Sequence, residues 1–120
     1  MPELEDFQSR SFRFACDVVR FYMKLARMPA VPAQVARQIL DAGTSVGANL
    51  EEAKGAQTRR DTTNKFSVAL KEARETRYWL RLITATDLVP EPLARGLLKE
   101  SNELVAISHS RAEEPEPGNG

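Results

Sequence analysis

The chain of 120 residues holds one cysteine and one histidine. With Cys16 alone no intramolecular disulfide can form, and with His109 alone most zinc sites are excluded. Nor does the sequence context suggest a Ser-His-Asp or Cys-His arrangement for nucleophilic catalysis. No stretch approaches the ~20 uncharged apolar residues of a membrane-spanning helix. The opening segment, residues 1–10, is acidic and lacks the apolar run of a secretory leader, so a reducing cytoplasm is the expected compartment. Charge of one sign is missing too, because 17 Lys+Arg balance 17 Asp+Glu. That balance argues at first sight against a strongly basic nucleic-acid module and against an acidic solvating protein. Alternating β-branched runs, the mark of strands, are absent as well.

What remains is an ordinary globular composition, 28% charged and 42% apolar, of a length that suits one domain. Prolines at 2, 29, 32, 90, 92, 115 and 117 leave two long proline-free runs, 3–28 and 33–89. Phe7, Phe14, Val18, Phe21 and Leu25 are spaced for one face of a helix over about 7–27. A second line, Phe12, Ala15, Val19, Tyr22 and Ala26, lies beside it. An apolar face this wide exceeds a minimal bundle seam and points to a partner beyond the chain itself. Cys16 sits among these residues and reads as a small buried hydrophobe.

Helix two is expected over 33–57, with Val35, Ile39, Ala42, Val46, Leu50 and Ala53 on its apolar side. Gly43 and Gly47 in its middle cost about 1 kcal/mol each relative to Ala, which fits either a close backbone approach or a break near 43–47. Helix three, about 62–86 with Asp61 or Thr62 as cap, places Phe66, Ala69, Leu70, Ala73, Leu80 and Ile83 on one face. Helix four, about 91–110, carries Leu93, Leu97, Leu104 and Ile107, with Leu98 and Val105 adjacent. The fold class is therefore all-α, an antiparallel up-down four-helix bundle over 1–112. Residues 113–120 form an acidic Pro/Gly tail expected to be disordered.

Two segments are more specific than a generic bundle. One is Thr44-Ser45-Val46-Gly47-Ala48-Asn49-Leu50-Glu51-Glu52-Ala53; the other runs from Asn64 through Lys71-Glu72-Ala73-Arg74-Glu75-Thr76-Arg77-Tyr78-Trp79 to Leu82. Together they resemble the four helix bundle protein family, also called the 23S rRNA intervening-sequence protein family, over about residues 12–107. The resemblance implies a small bacterial bundle that assembles as a ring-shaped homopentamer, in some members encoded within intervening sequences of 23S rRNA genes. It also implies kinship to the accessory proteins of diversity-generating retroelements, which assist a reverse transcriptase and carry a very basic surface. It supplies no catalytic residue.

The motif residues have readings of their own. Asn49 is expected as a buried amide that fixes helix register, satisfied by a Ser, Thr or Glu on helix three. Val68, Glu72, Glu75 and Trp79 share a face about 100° from the core line. That face is either solvated surface or, preferably, an intersubunit contact where carboxylates meet a neighbour's arginines. Two acids without a histidine or third acid are a poor basis for catalysis. Lys71, Arg74, Arg77 and Arg81, with Tyr78 beside them, read either as stems covering the core edge or as a basic stripe for phosphates repeated round an oligomer. Arg59 and Arg60 extend the candidate nucleic-acid surface.

Neutrality is segregated along the chain. Residues 10–27 carry five basic against one acidic residue and 54–81 eight against three, with the compensating acids at the ends and in 28–53. The expected function is that of a non-enzymatic, cytoplasmic homo-oligomer that binds RNA or a nucleic-acid-processing partner. No cofactor, metal, membrane or small-molecule substrate is expected. The alternatives are a protein-binding adaptor without nucleic-acid contact and, third, an enzyme built on paired acids between subunits.

Overall fold

A computed structural model describes residues 2–112, with side chains from Asp6 onward; the expected tail, 113–120, lies outside the described residues. Four helices follow one another: α1 (Pro2–Leu25), α2 (Ala33–Lys54), α3 (Arg59–Ala85) and α4 (Glu91–Ala112). No strand occurs among the described residues. Each helix packs on its sequence neighbours, and α1 meets α4 along a sparser seam that closes the bundle. The long axis is 54 Å against 24 and 22 Å across, the proportions of helices lying side by side.

Local chemistry sets the ends. Thr58 is extended and its hydroxyl accepts from the Asp61 backbone N–H at 3.0 Å, so α3 begins earlier than the expected 62. Asp61 thereby becomes an acid in the first turn, where the helix dipole favours it, rather than the cap. Gly55 stops α2 at Lys54, short of the expected 57, by turning its N–H back onto the Glu52 carbonyl. At the end of α3, the Leu88 N–H reaches the Ile83 carbonyl and the Asp87 N–H that of Thr84. This is a Schellman closure, with Asp87 at φ 57° in the place glycine usually takes. The first helix extends back to Pro2 and the last forward to Ala112.

The core follows the expected lines. Phe7, Phe14, Val18, Phe21 and Leu25 are buried, with Ile39, Val46 and Leu50 from α2, Leu80 and Ile83 from α3, and Leu97 and Leu104 from α4. Phe7 stacks on Phe66 across the bundle, rings 6.3 Å apart. Leu70, Val35, Leu98 and Ile107 are only half-buried at the core edge. Cys16 is half-buried rather than buried, because it sits on the turn-and-turn-about line of Phe12 and Met23, away from the core.

The glycines of α2 answer the question of break or approach. The helix is continuous through both. A methyl at Gly43 would lie 2.7 and 2.8 Å from the two γ-carbons of Val18, and one at Gly47 would lie 3.3 Å from the Ser11 carbonyl oxygen. Two small residues one turn apart thus let α1 and α2 approach closely. Gly96 of α4, by contrast, has open space where a Cβ would stand.

These two situations predict opposite outcomes. Gly43→Ala should destabilise the fold by about 1–2 kcal/mol, overpacking against β-branched Val18 exceeding the gain in helix propensity. Adding Val18→Ala should recover part of that loss. Gly96→Ala should stabilise by roughly 0.5–1 kcal/mol. Denaturant midpoints of the three variants check both signs.

Candidate functional site

On α3 the outward line is cationic. Arg60, Lys71, Arg74 and Arg81 are exposed, and Tyr78 stands among them with 57% of its surface open. Lys71, Arg74, Tyr78 and Arg81 fall at i, i+3, i+7 and i+10, which a 3.6-residue turn gathers on one side. Arg59, also exposed, begins the same helix, about 18 Å before Lys71 along the axis. Arg77 does not join them. It is half-buried and its guanidinium donates to Asn102 Oδ1 on α4 at 3.4 Å. The stripe is therefore Lys71, Arg74 and Arg81, with Arg77 serving the α3–α4 seam.

The acids stand on the opposite flank of α3, toward α2. Glu72 and Glu75 are half-buried there, near Asp41 of α2. Burial holds the Glu72 carboxyl above the usual carboxylate range, Glu75 pushes it further, and Lys71 opposes the rise. Trp79 is half-buried on the same flank and meets the Tyr78 ring edge-on at 5.2 Å and 79°. Its Nε1 is closed off from solvent with no acceptor among the described residues. No cluster of three His, Cys, Asp or Glu side chains suited to a metal ion occurs among the described residues.

Asn49 departs from its expected role. It is half-buried, and its Nδ2 donates at 2.8 Å to the Ser45 carbonyl one turn back on its own helix. Position 49 faces the α3 side of α2, but the amide is satisfied locally, so it does not set register between helices. The tie between those helices is instead the Lys65–Glu52 ion pair.

A third surface lies on α1. Phe12 is 69% exposed, Met23 55% and Val19 44%; of the second apolar line only Tyr22 and Ala15 are half-covered. Beside Phe12 a groove of about 330 Å³ opens toward Thr44, Gly47 and Ala48 of α2. The wide apolar face and the small residues of α2 are visible in the sequence, whereas Met23 and the groove that those small residues form beside Phe12 are not. Also missed was Arg10, whose guanidinium grips both carboxylate oxygens of Glu100 at 2.9 and 3.0 Å and touches Glu103 at 3.4 Å. That fork spans the sparse α1–α4 seam and holds the Arg10 proton even more firmly than usual.

Comparison with known proteins adds the following. A family model described as 23S rRNA-intervening sequence protein matches residues 5–110. A crystal structure of a protein with unknown function from the S23 ribosomal protein family of Bacteroides thetaiotaomicron VPI-5482 is 35% identical. It covers 90% of this chain and 99% of its own, with a TM-score of 0.82. The comparison with curated proteins gives no match.

The raised Glu72 gives a pH test. In the folded chain this carboxyl holds its proton more tightly than when unfolded, so its contribution to stability is lost as pH rises through the carboxylate range. Glu72→Gln should accordingly raise the denaturation midpoint of the single chain at neutral pH. The gain should vanish below about pH 4. A midpoint series across pH decides it.

Proposed function

The chain belongs to the 23S rRNA-intervening sequence protein family, and on that premise we propose a non-enzymatic, self-assembling bundle that holds RNA against the outward side of α3. The observation that carries this reading is the division of the surface. Among the described residues α1 and α3 are diagonal partners, whose backbones do not approach closely and which meet across the core through rings such as Phe7 and Phe66, so their outward sides point away from each other. One is apolar and the other cationic. A soluble chain gains by covering Phe12, Val19 and Met23, and a second copy can do so while leaving the cations free for phosphates.

A ring of five, the number the resemblance implies, needs two different surfaces that fit each other. The α1 stripe is bordered by Arg13, Arg20 and Arg27, all exposed. The α2–α3 flank offers Val68 and Trp79 with Asp41, Glu72 and Glu75. Apolar against apolar, with arginines on carboxylates, gives the complementarity that a head-to-tail contact requires. Asn49 lies on the edge of that flank. The cytoplasm, where RNA is found, is the compartment that suits this role.

Light scattering should give about five times the 13.4 kDa chain mass, and a Phe12→Glu, Met23→Glu double variant should run as a single chain. A wild-type monomer sinks the assembly. In an RNA titration, affinity should fall steeply with salt, and Lys71→Ala, Arg74→Ala and Arg81→Ala together should flatten that slope by about three phosphate contacts. Assembly without any RNA binding at low salt would instead favour a protein-binding adaptor.

A further inference from the structure

We propose that the outward side of α3 is a stacking site for single-stranded nucleic acid, with Tyr78 as the base-contacting ring and Lys71, Arg74 and Arg81 as phosphate partners. The proposal rests on the RNA-holding role above and specifies the form of nucleic acid that it takes.

Tyr78 is the observation that distinguishes this surface from a merely basic one. A solitary exposed aromatic is unremarkable in itself. Here the ring is 57% exposed, and it stands one turn from Arg74 on one side and from Arg81 on the other. Its neighbour Trp79 restrains it by edge-on contact at 5.2 Å, and Trp79 is itself half-buried. A ring already held in place loses little freedom when a base settles on it.

The exposed charges one turn from the ring have the sign that a phosphate chain needs, and the acid one turn away, Glu75, is half-buried. Lys71, Arg74 and Arg81 are exposed, while Glu72 and Glu75 are half-buried on the flank toward α2. From Lys71 to Arg81 the helix advances about 15 Å, enough for about four nucleotides at the stacked spacing of ~3.4 Å. Cations in a line with an aromatic between them are the combination by which proteins hold single strands without reading sequence.

A duplex would not use it. Paired bases are stacked on one another and offer a protein only their edges in the grooves, so a protruding tyrosine finds phosphates and sugars rather than a base face. On a single strand the bases can turn out, and the ring adds to the phosphate contacts. Tyr78 therefore discriminates by the form of the nucleic acid.

The test is a pair of anisotropy titrations of the full chain, one with a short unstructured oligo-uridine and one with a duplex of equal length. Tyr78→Ala should weaken oligo-uridine binding about tenfold with the salt slope and duplex affinity unchanged, and Tyr78→Phe should bind like the wild type. Oligo-uridine should also quench the fluorescence of the Tyr78–Trp79 pair more than the duplex does. Oligo-uridine binding that is lost with Arg74→Ala and Arg81→Ala but unaffected by Tyr78→Ala would overturn the stacking site and leave the RNA-holding role standing. Equal loss on duplex and single strand would overturn the discrimination. Absence of binding to either at low salt would remove both the site and the role on which it rests.

Discussion

The close approach of α1 to α2 governs the rest of the molecule. Val18 lies against Gly43 and the Ser11 backbone against Gly47, where any side chain on α2 would hold the helices apart. This contact fixes how α1 is rotated. With Phe14, Phe21 and Leu25 directed into the core and Ser11 and Val18 against α2, the neighbouring apolar line of Phe12, Val19 and Met23 has no room inside. The exposed stripe is thus a consequence of a tight internal contact. Two mid-helix glycines, each costing about 1 kcal/mol in helix propensity, are what the arrangement costs locally.

The opposite side of the bundle follows from the same packing. The middle of the inner face of α3 is small, with Ala69, Ala73 and Thr76 buried between Phe66 and Leu80. Thr76 satisfies its hydroxyl on the Glu72 carbonyl of its own helix, so nothing polar on that face calls for a partner across the core. The long polar side chains of α3 are therefore left to its flanks and outer line. They divide three ways: Lys65 and the two acids toward α2, Arg77 toward Asn102 of α4, and Lys71, Arg74, Tyr78 and Arg81 toward solvent. Zero net charge coexists with a cationic ridge because the acids occupy other faces.

Most of the fold was legible because four apolar lines of period 3.6 and two proline-rich turns leave little choice. The core residues of α1 are readable from spacing alone, and so is the excess width of the α1 face. On α4 spacing finds Leu97 and Leu104, but Leu93 and Ile107 are only half-buried, and the buried small residues Ala94, Ser101 and Ser108 carry no apolar signal strong enough to mark them. Helix ends were less so. Thr58 does not stand out as a cap in the sequence, since Arg59 and Arg60 do not announce a helix, and the backbone geometry that lets its hydroxyl reach Asp61 is not written in composition. Asn49 is ambiguous in sequence for a related reason: an amide near an apolar line can bond its own helix, as it does here through Ser45, as readily as another. Among the basic residues, spacing grouped Arg77 with Arg74 and Arg81, and only the position of α4 shows which of them is drawn into a seam. The Arg10–Glu100 fork joins residues far apart in sequence, with no local signal at either end.

The sparse seam between α1 and α4 has a kinetic consequence. Three of the four helix–helix interfaces join helices adjacent in the chain, so each can form by closing a short connection. Only the fourth needs the first and last helices to find each other, across nearly the whole chain, with the Arg10 fork as its main polar tie. A bundle of such low contact order folds quickly, and the two terminal helices form the natural line along which it opens while the α2–α3 hairpin stays closed. Amide exchange along the facing sides of α1 and α4 then reports a partial opening that leaves the α2–α3 seam protected.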